Sequence, residues 1–457
     1  MKKAKSNFSK FMLLWTGELL SQIGGGLTSF GLGVYVFNAT GSAAQMALVT
    51  LLGFLPTLLL SVPAGVLADM HDRRVLMMIG DGLSALGPLF ILLCMMTGEA
   101  KLWQICIGVF VSAVFSALLE PSYRATITDL LTKEEFTRAN GLTSLAGSAR
   151  YLVSPMLAGV LLSVSDVKLL LIIDICTFFI TVMATAVVKQ GLSEEQALVE
   201  EQDLVEEQSL AEKQGLAEEQ RVAEKQEIVL TKSLAGVDEP NWKTPSGKRF
   251  AGKLKEGWNA IYSRKGVFFL IMISSVMTMF MGVIQILCEP MILSFADAGT
   301  LGTAETVCAL GMLVTALITG IVGIKRNHSR VLGISLSFAG IFMVLFSMKE
   351  NIYFICAAGF LFFAMLPLAN SCLDYLARTN IPEELQGRAW GFIGFLSQLG
   401  YIPAYALAGV LADQSAKALG ISVGRGCALV IAISGGLMIL TALGSLFSKS
   451  IRGLEGV

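Results

Sequence analysis

Long apolar runs separated by short charged loops set the first reading of this chain. A membrane-spanning helix needs about 20 mostly apolar residues. By that ruler twelve segments stand out. Six lie at about 11–37, 45–68, 75–97, 102–123, 139–164 and 167–189, and after a polar interruption six more lie at about 267–294, 301–324, 331–348, 352–375, 390–412 and 422–447. The pattern predicts an all-α integral membrane protein with twelve transmembrane helices in two pseudo-symmetric six-helix bundles. The expected parts are a first bundle over 1–190, a linker over 191–241, a basic amphipathic segment over 242–266 and a second bundle over 267–457.

The halves echo each other in sequence. RANGL at 138–142 matches RAWGF at 388–392, Tyr151 matches Tyr401, and AGVLL at 158–162 matches AGVLA at 408–412, all at one offset of 250 residues. Matched halves with the same span direction imply two parallel bundles related by an axis along the membrane normal, an architecture that transporters use.

The polar interruption has two parts. From Leu192 to Ile228 an apolar residue recurs every six positions in a Glu/Gln-rich background. A six-residue step advances about 600° around a helix, so those residues circle it and form no coiled-coil seam. A solvated, partly helical or disordered insert is expected. Further on, Phe250, Leu254, Trp258, Ile261 and Tyr262 fall on one helical face in a Lys/Arg-rich stretch, the pattern of a helix lying on the membrane surface.

Composition agrees with the bilayer reading. The chain is 54% hydrophobic and 15% charged, with mean hydropathy +0.68, against about 25% charged for a soluble domain. A net charge of −1 gives no basis for nucleic-acid binding. The eight cysteines have no ligand spacing and are read as small hydrophobes. The first apolar run is too long for a signal-peptide core and is expected to remain as a span. In the short loops basic residues gather on the side of the N-terminus, with Lys101, Lys168, Lys349, Lys417 and Arg425 opposite. Both termini and the linker are therefore predicted to be cytoplasmic.

The loop GVLADMHDRR, Gly65 to Arg74, joins the second and third spans. The positive-inside rule accounts for Arg73 and Arg74 but not for Asp69 or Gly65. A carboxylate at a helix end near basic residues can hold one conformation and release another. G-x-L-A-D followed by two basic residues at this place resembles the signature loop of the major facilitator superfamily. The resemblance covers both halves and omits only the hexapeptide insert. It implies that Gly65, Asp69, Arg73 and Arg74 form a cytoplasmic latch of the outward-facing state. Asp72 stands where that family commonly has Gly, and Met70 where it often has a basic residue. The corresponding second-half loop keeps Gly320, Lys325 and Arg326 but no Asp.

PSYRATITDLLTKEEFTRANGL (121–142) followed by SPMLAG (154–159) is similar to bacterial exporters of the macrolide-efflux and enterobactin-exporter group. SPMLAG also resembles the G-P-x-x-G-G element in the fifth helix of drug–proton antiporters, placed at Ser154, Pro155 and Gly159, with Ser154 and Ala158 standing where that element has glycines. Pro and small residues in a membrane helix also serve bending and close packing.

Ionisable groups inside spans are expensive and default to functional candidates. Glu18 lies about a third of the way along the first span, ahead of Gly24, Gly25 and Gly26, which are expected to loosen that helix. Family architecture implies that it faces the central cavity, where it could bind protons or cationic substrate; a structural partnership with a basic residue is the alternative. Arg150 is either the counter-charge of Glu18 or Asp174, or a binder of substrate oxygens. Gln285 and Glu289 are cavity candidates, Glu289 with solvation at the outer end as its alternative. Asp81, Glu120, Arg124, Asp374 and Arg378 are expected to make structural ion pairs.

No phosphate loop of the G-x-x-x-x-G-K-[ST] type occurs, and the two histidines form no HExxH. No catalytic residue, metal or cofactor is expected, and the proton gradient would supply the energy. The expected protein is a monomer of the bacterial cytoplasmic membrane. It would export a drug-like or amphipathic small molecule by alternating access in exchange for protons. A proton-coupled uptake permease or lipid flippase on the same fold is the rival, and a non-transporting scaffold or sensor is the rival of another class.

Overall fold

The computed structural model describes residues 7–132, 135–192, 265–324, 327–381, 392–448 and 452–455. Twelve helices among them are long and apolar enough to cross a membrane. The first half holds α1 (Phe8–Thr40), α2 (Ala43–Ala68), α3 (Arg73–Thr97), α4 (Leu102–Leu130), α5 (Arg138–Val164) and α6 (Val167–Leu192). The second holds α7 (Gly266–Leu293), α8 (Ala298–Val322), α9 (His328–Met348), α10 (Ile352–Asn380), α11 (Phe392–Leu419) and α12 (Val423–Phe447). The hexapeptide repeat beyond Leu192 and the basic segment up to 264 lie outside the described residues, as do Lys325 and Arg326.

Every expected span is present, and three run on five residues or more past the apolar ruler. Helix α4 continues to Leu130, α10 to Asn380 and α11 to Leu419. Hydropathy stops where charges begin, but backbone hydrogen bonding carries the helix into water. The tight turns have local causes. Gly41 takes the left-handed conformation (φ 62°) and donates its N–H to Phe37 O at 2.7 Å, and the Ser42 hydroxyl then caps α2 by accepting from Gln45 N. Asp297 caps α8 in the same way, and the Thr300 hydrogen bonds hold its carboxyl below the usual range. Helix α5 breaks at Val153, just ahead of Pro155, whose ring removes an intrahelical donor.

The described spans alternate in direction, so the start of α1 at Phe8 and the end of α12 at Phe447 lie at one end of the bundle, called here the terminal end; the opposite one is the distal end. The halves belong to one compact unit and meet along two seams, α2 against α11 and α5 against α8, with α1 also touching α7. Lipid tails are as apolar as the helices, so association rests on close packing of small residues. The shared core accordingly contains Ala43, Ala47 and Ala158 of the first half with Leu301, Ala304, Ala404, Ala408 and Ala412 of the second. Gly159 lies against the Ala298–Gly299 backbone, and a Cβ on Gly302 would collide with Pro155 O. Toward the terminal end the situation reverses. A Cβ on Gly65, Gly141, Gly147, Gly320 or Gly394 would meet no heavy atom within 4 Å. The described residues thus form halves that are joined from the distal end to about the middle and parted beyond it.

Candidate functional site between the halves

Where the halves part, aromatic side chains from both form a floor. Phe54 of α2 stands edge-on to Tyr401 and Tyr405 of α11, with ring centroids 5.5 and 5.4 Å apart, and the two tyrosines are 5.4 Å from each other. The Tyr405 hydroxyl donates to Gln285 Oε1 of α7 at 2.9 Å. Arg150 and Tyr151 of α5 lie within electrostatic reach of Tyr405, and Tyr151 also of Tyr401. Arg150 is exposed and makes no ion pair among the described residues. A cation beside aromatic faces and an amide can hold an apolar ligand and orient its oxygens. Tyr151 and Tyr401, matched by the repeat offset, come to this one place; Phe54 and Tyr405 carried no signal of their own in the sequence.

Glu18 is half-buried on α1, about 15 Å from its terminal end. Gln22 Nε2 donates to its Oε1 at 2.7 Å. Among the described residues, the ionisable groups that interact with it are Glu120, Asp81 and Tyr123, not a base. Of the two counter-charges considered for Arg150, Asp174 of α6 is the one within reach. Asp174 is 2% exposed and packs on α1, where a Cβ on Gly24 would lie 2.9 Å from its Oδ1. The glycine run therefore does not loosen α1, which is helical throughout. Gly24 and Gly26 admit neighbours instead, Thr177 and Asp174 at the first and Ser154 at the second, whose Oγ donates to Ile23 O at 3.0 Å.

Glu289 differs from the solvated alternative. Its Oε2 is buried against Gly33 of α1 without a hydrogen-bond partner among the described residues, and its carboxyl senses that of Glu305 on α8. The intramembrane-charge rule that selected Glu289 would have found Glu305 as well. Glu120 and Arg124 do pair, at 2.7 Å on an exposed helix face, and Asp374 lies within reach of Arg378. Asp81 departs from the ion-pair expectation: it is 1% exposed and its Oδ1 has no hydrogen-bond partner among the described residues.

The loop Gly65–Arg74 is engaged within its own half. Arg73 Nη1 donates to Asp129 Oδ1 of α4 at 2.6 Å and to Ala125 O at 3.1 Å. Asp72 accepts from Arg74 N at 3.0 Å and so caps α3, which gives that departure from the family pattern a local use. Gly65 faces open space, and the Asp69 side chain lies outside the described residues. Ser154, Pro155 and Gly159 sit where α5 meets α1 and α8.

Two like six-helix halves, joined at one end around a central cation and aromatic floor, make up a transporter architecture. Comparison with known proteins narrows it. Residues 5–209 match the family described as Transmembrane secretion effector. Macrolide efflux protein A of Streptococcus pyogenes is 23% identical over 413 residues, covering 89% of this chain and 90% of that protein. The MFS-type transporter YfiS of Bacillus subtilis is 23% identical over 468 residues, covering 98% and 96%. Among solved structures, a bacterial homologue of the lysosomal transporter Spinster, in an inward-facing and unoccupied conformation, superposes with a TM-score of 0.65 at 11% identity, covering 100% of this chain and 99% of that one. The chain thus has the fold of major facilitator transporters and is similar in sequence, over most of its length, to the macrolide efflux proteins.

Proposed function

We propose that this protein is a proton-driven exporter of amphipathic small molecules of the macrolide class, seated with both termini in the cytoplasm of a bacterial cell. The observation that carries the reading is the floor of Arg150, Tyr151, Phe54, Tyr401, Tyr405 and Gln285, placed where the halves part toward the terminal end. Likeness to a macrolide efflux protein over most of both chains supports the substrate class, and the basic short loops on the side of the N-terminus support the orientation.

Substrate enters from the cytoplasm, lays its apolar face on the aromatic floor and gives its oxygens to Arg150. The halves then part at the distal end and close at the terminal end, where Gly65, Asp69, Arg73 and Arg74 re-form across the gap as a latch. Glu18, without a basic partner among the described residues, takes a proton from outside as substrate leaves and returns it inside. Glu289 with Glu305 is the second carboxyl group available to the same cycle, close to the seam that must open.

Expression in an efflux-deficient bacterium should raise the inhibitory concentration of erythromycin several-fold. Purified protein in liposomes should show erythromycin-dependent proton flux, lost in Glu18→Gln. Unchanged susceptibility removes the substrate class, unchanged flux in Glu18→Gln removes that residue from coupling, and uptake in place of export in vesicles of known sidedness reverses the direction.

A further inference from the structure

Two distal seams hold the halves together, and they are built differently. The α5–α8 seam is a close approach of small residues, Gly159 on Ala298–Gly299 and Gly302 on Pro155. The α2–α11 seam has the same close approach, Gly409 on Ala43 and Ala44, and adds a charge. Asp413 of α11 reaches across to the N-terminus of α2. Its Oδ1 accepts from Ala43 N at 3.1 Å, and its Oδ2 accepts from Ser42 Oγ at 2.5 Å and from Ala44 N at 3.1 Å. At the repeat offset, the α5 residue corresponding to Asp413 is Ser163, which bonds within its own helix to Val160 O. Helix α8 is capped by its own Asp297. The cross-half carboxylate is therefore a property of one seam.

The first N–H groups of a helix have no partner of their own and carry the positive end of its dipole. A carboxylate placed on them forms short, charge-assisted bonds. Here the acceptor and the helix belong to different halves, so these bonds exist only while the distal end is closed. Asp413 also ends a sequence found elsewhere on the same seam. AGVLAD at 64–69 recurs letter for letter at 408–413. The first copy closes the terminal end of α2, the second lies toward the distal end of α11, and Gly65 in the first copy faces open space while Gly409 in the second is packed.

We propose that Asp413 is the distal latch of this transporter: it holds the terminal-open state by capping α2 across the halves and must leave that helix for the halves to exchange ends. Ser42 is its positioning partner, offering a hydroxyl to Asp413 while capping its own helix through Gln45 N. The inference rests on the halves exchanging ends, and on neither the substrate, the coupling ion nor the direction of transport.

Hydrogen–deuterium exchange on the full chain in lipid nanodiscs tests it without substrate. Asp413→Ala should raise uptake at 42–46 and lower it on the terminal-end segments 124–132 and 374–381, with the ratio of terminal-open to distal-open states falling about tenfold or more. Ser42→Ala leaves Asp413 in place and should act in the same direction, more weakly, which guards against a fold defect in the first variant. Uptake that rises only at 42–46, or rises at both ends, in both variants overturns the latch and leaves Asp413 as a local helix cap. Such a failure is read apart from the export reading, which the erythromycin and proton-flux measurements decide.

Discussion

The Tyr405 ring is only 5% exposed, and its hydroxyl ties α11 to α7 through Gln285. Tyr405→Phe keeps the ring stack with Phe54 and Tyr401 and removes that one bond. A loss of about 1 kcal/mol is expected, read as a severalfold rise in the concentration of erythromycin giving half-maximal flux, with little change in maximal rate. A variant that fails to insert would show instead that the bond is needed for folding. Asp69 poses a different question, because two other members of its proposed latch make no described contact across the halves: Gly65 faces open space and Arg73 is held by Asp129 within the same half. Asp69→Asn is expected to reduce transport at least tenfold while membrane insertion stays near wild type. If it transports normally, the loop serves orientation alone. The Arg73–Asp129 pair is itself part-exposed, at 30% and 41%, so it contributes at most about 1 kcal/mol and can be exchanged at low cost during the cycle.

At the scale of helices, the seams depend on how near two backbones come. Gly302 has no room for a side chain, because the α5 backbone at Pro155 occupies that space, whereas Gly320 on the same helix borders nothing within 4 Å. Gly302→Leu should prevent the distal end from closing and reduce export at least tenfold, with the protein still inserted. Gly320→Leu should change thermal stability little in this conformation, by about 0.5 kcal/mol or less. Equal effects of the two would mean that α5–α8 contact is not what limits the cycle. The SPMLAG stretch illustrates how function and packing coincide on one helix: Ser154 bonds to α1, Pro155 marks the break in α5, and Gly159 meets α8.

For the whole molecule, the halves are joined in space through α1, α2, α5, α7, α8 and α11, so no described contact between them requires the hexapeptide segment. Deleting 193–228 while keeping the basic segment should leave erythromycin export within about twofold of wild type. Loss of export with normal insertion would give that segment a part in the cycle.

The number of helices and their grouping into two halves were legible along the chain, because a bilayer demands runs of about 20 apolar residues whatever their neighbours. The offset that pairs Tyr151 with Tyr401 also pointed to the middle of the molecule, and the AGVLAD repeat would have pointed to Asp413 had the second-span and eleventh-span copies been set side by side. What a charge is bonded to was a different matter. Asp129 takes Arg73 from 56 positions away, and Asp413 takes the Ala43 N–H from 370. Hydropathy is a local property of each segment, so it survives without the fold; a hydrogen bond across halves depends on which helix ends meet, and that is decided by the packing of the conformation the chain occupies.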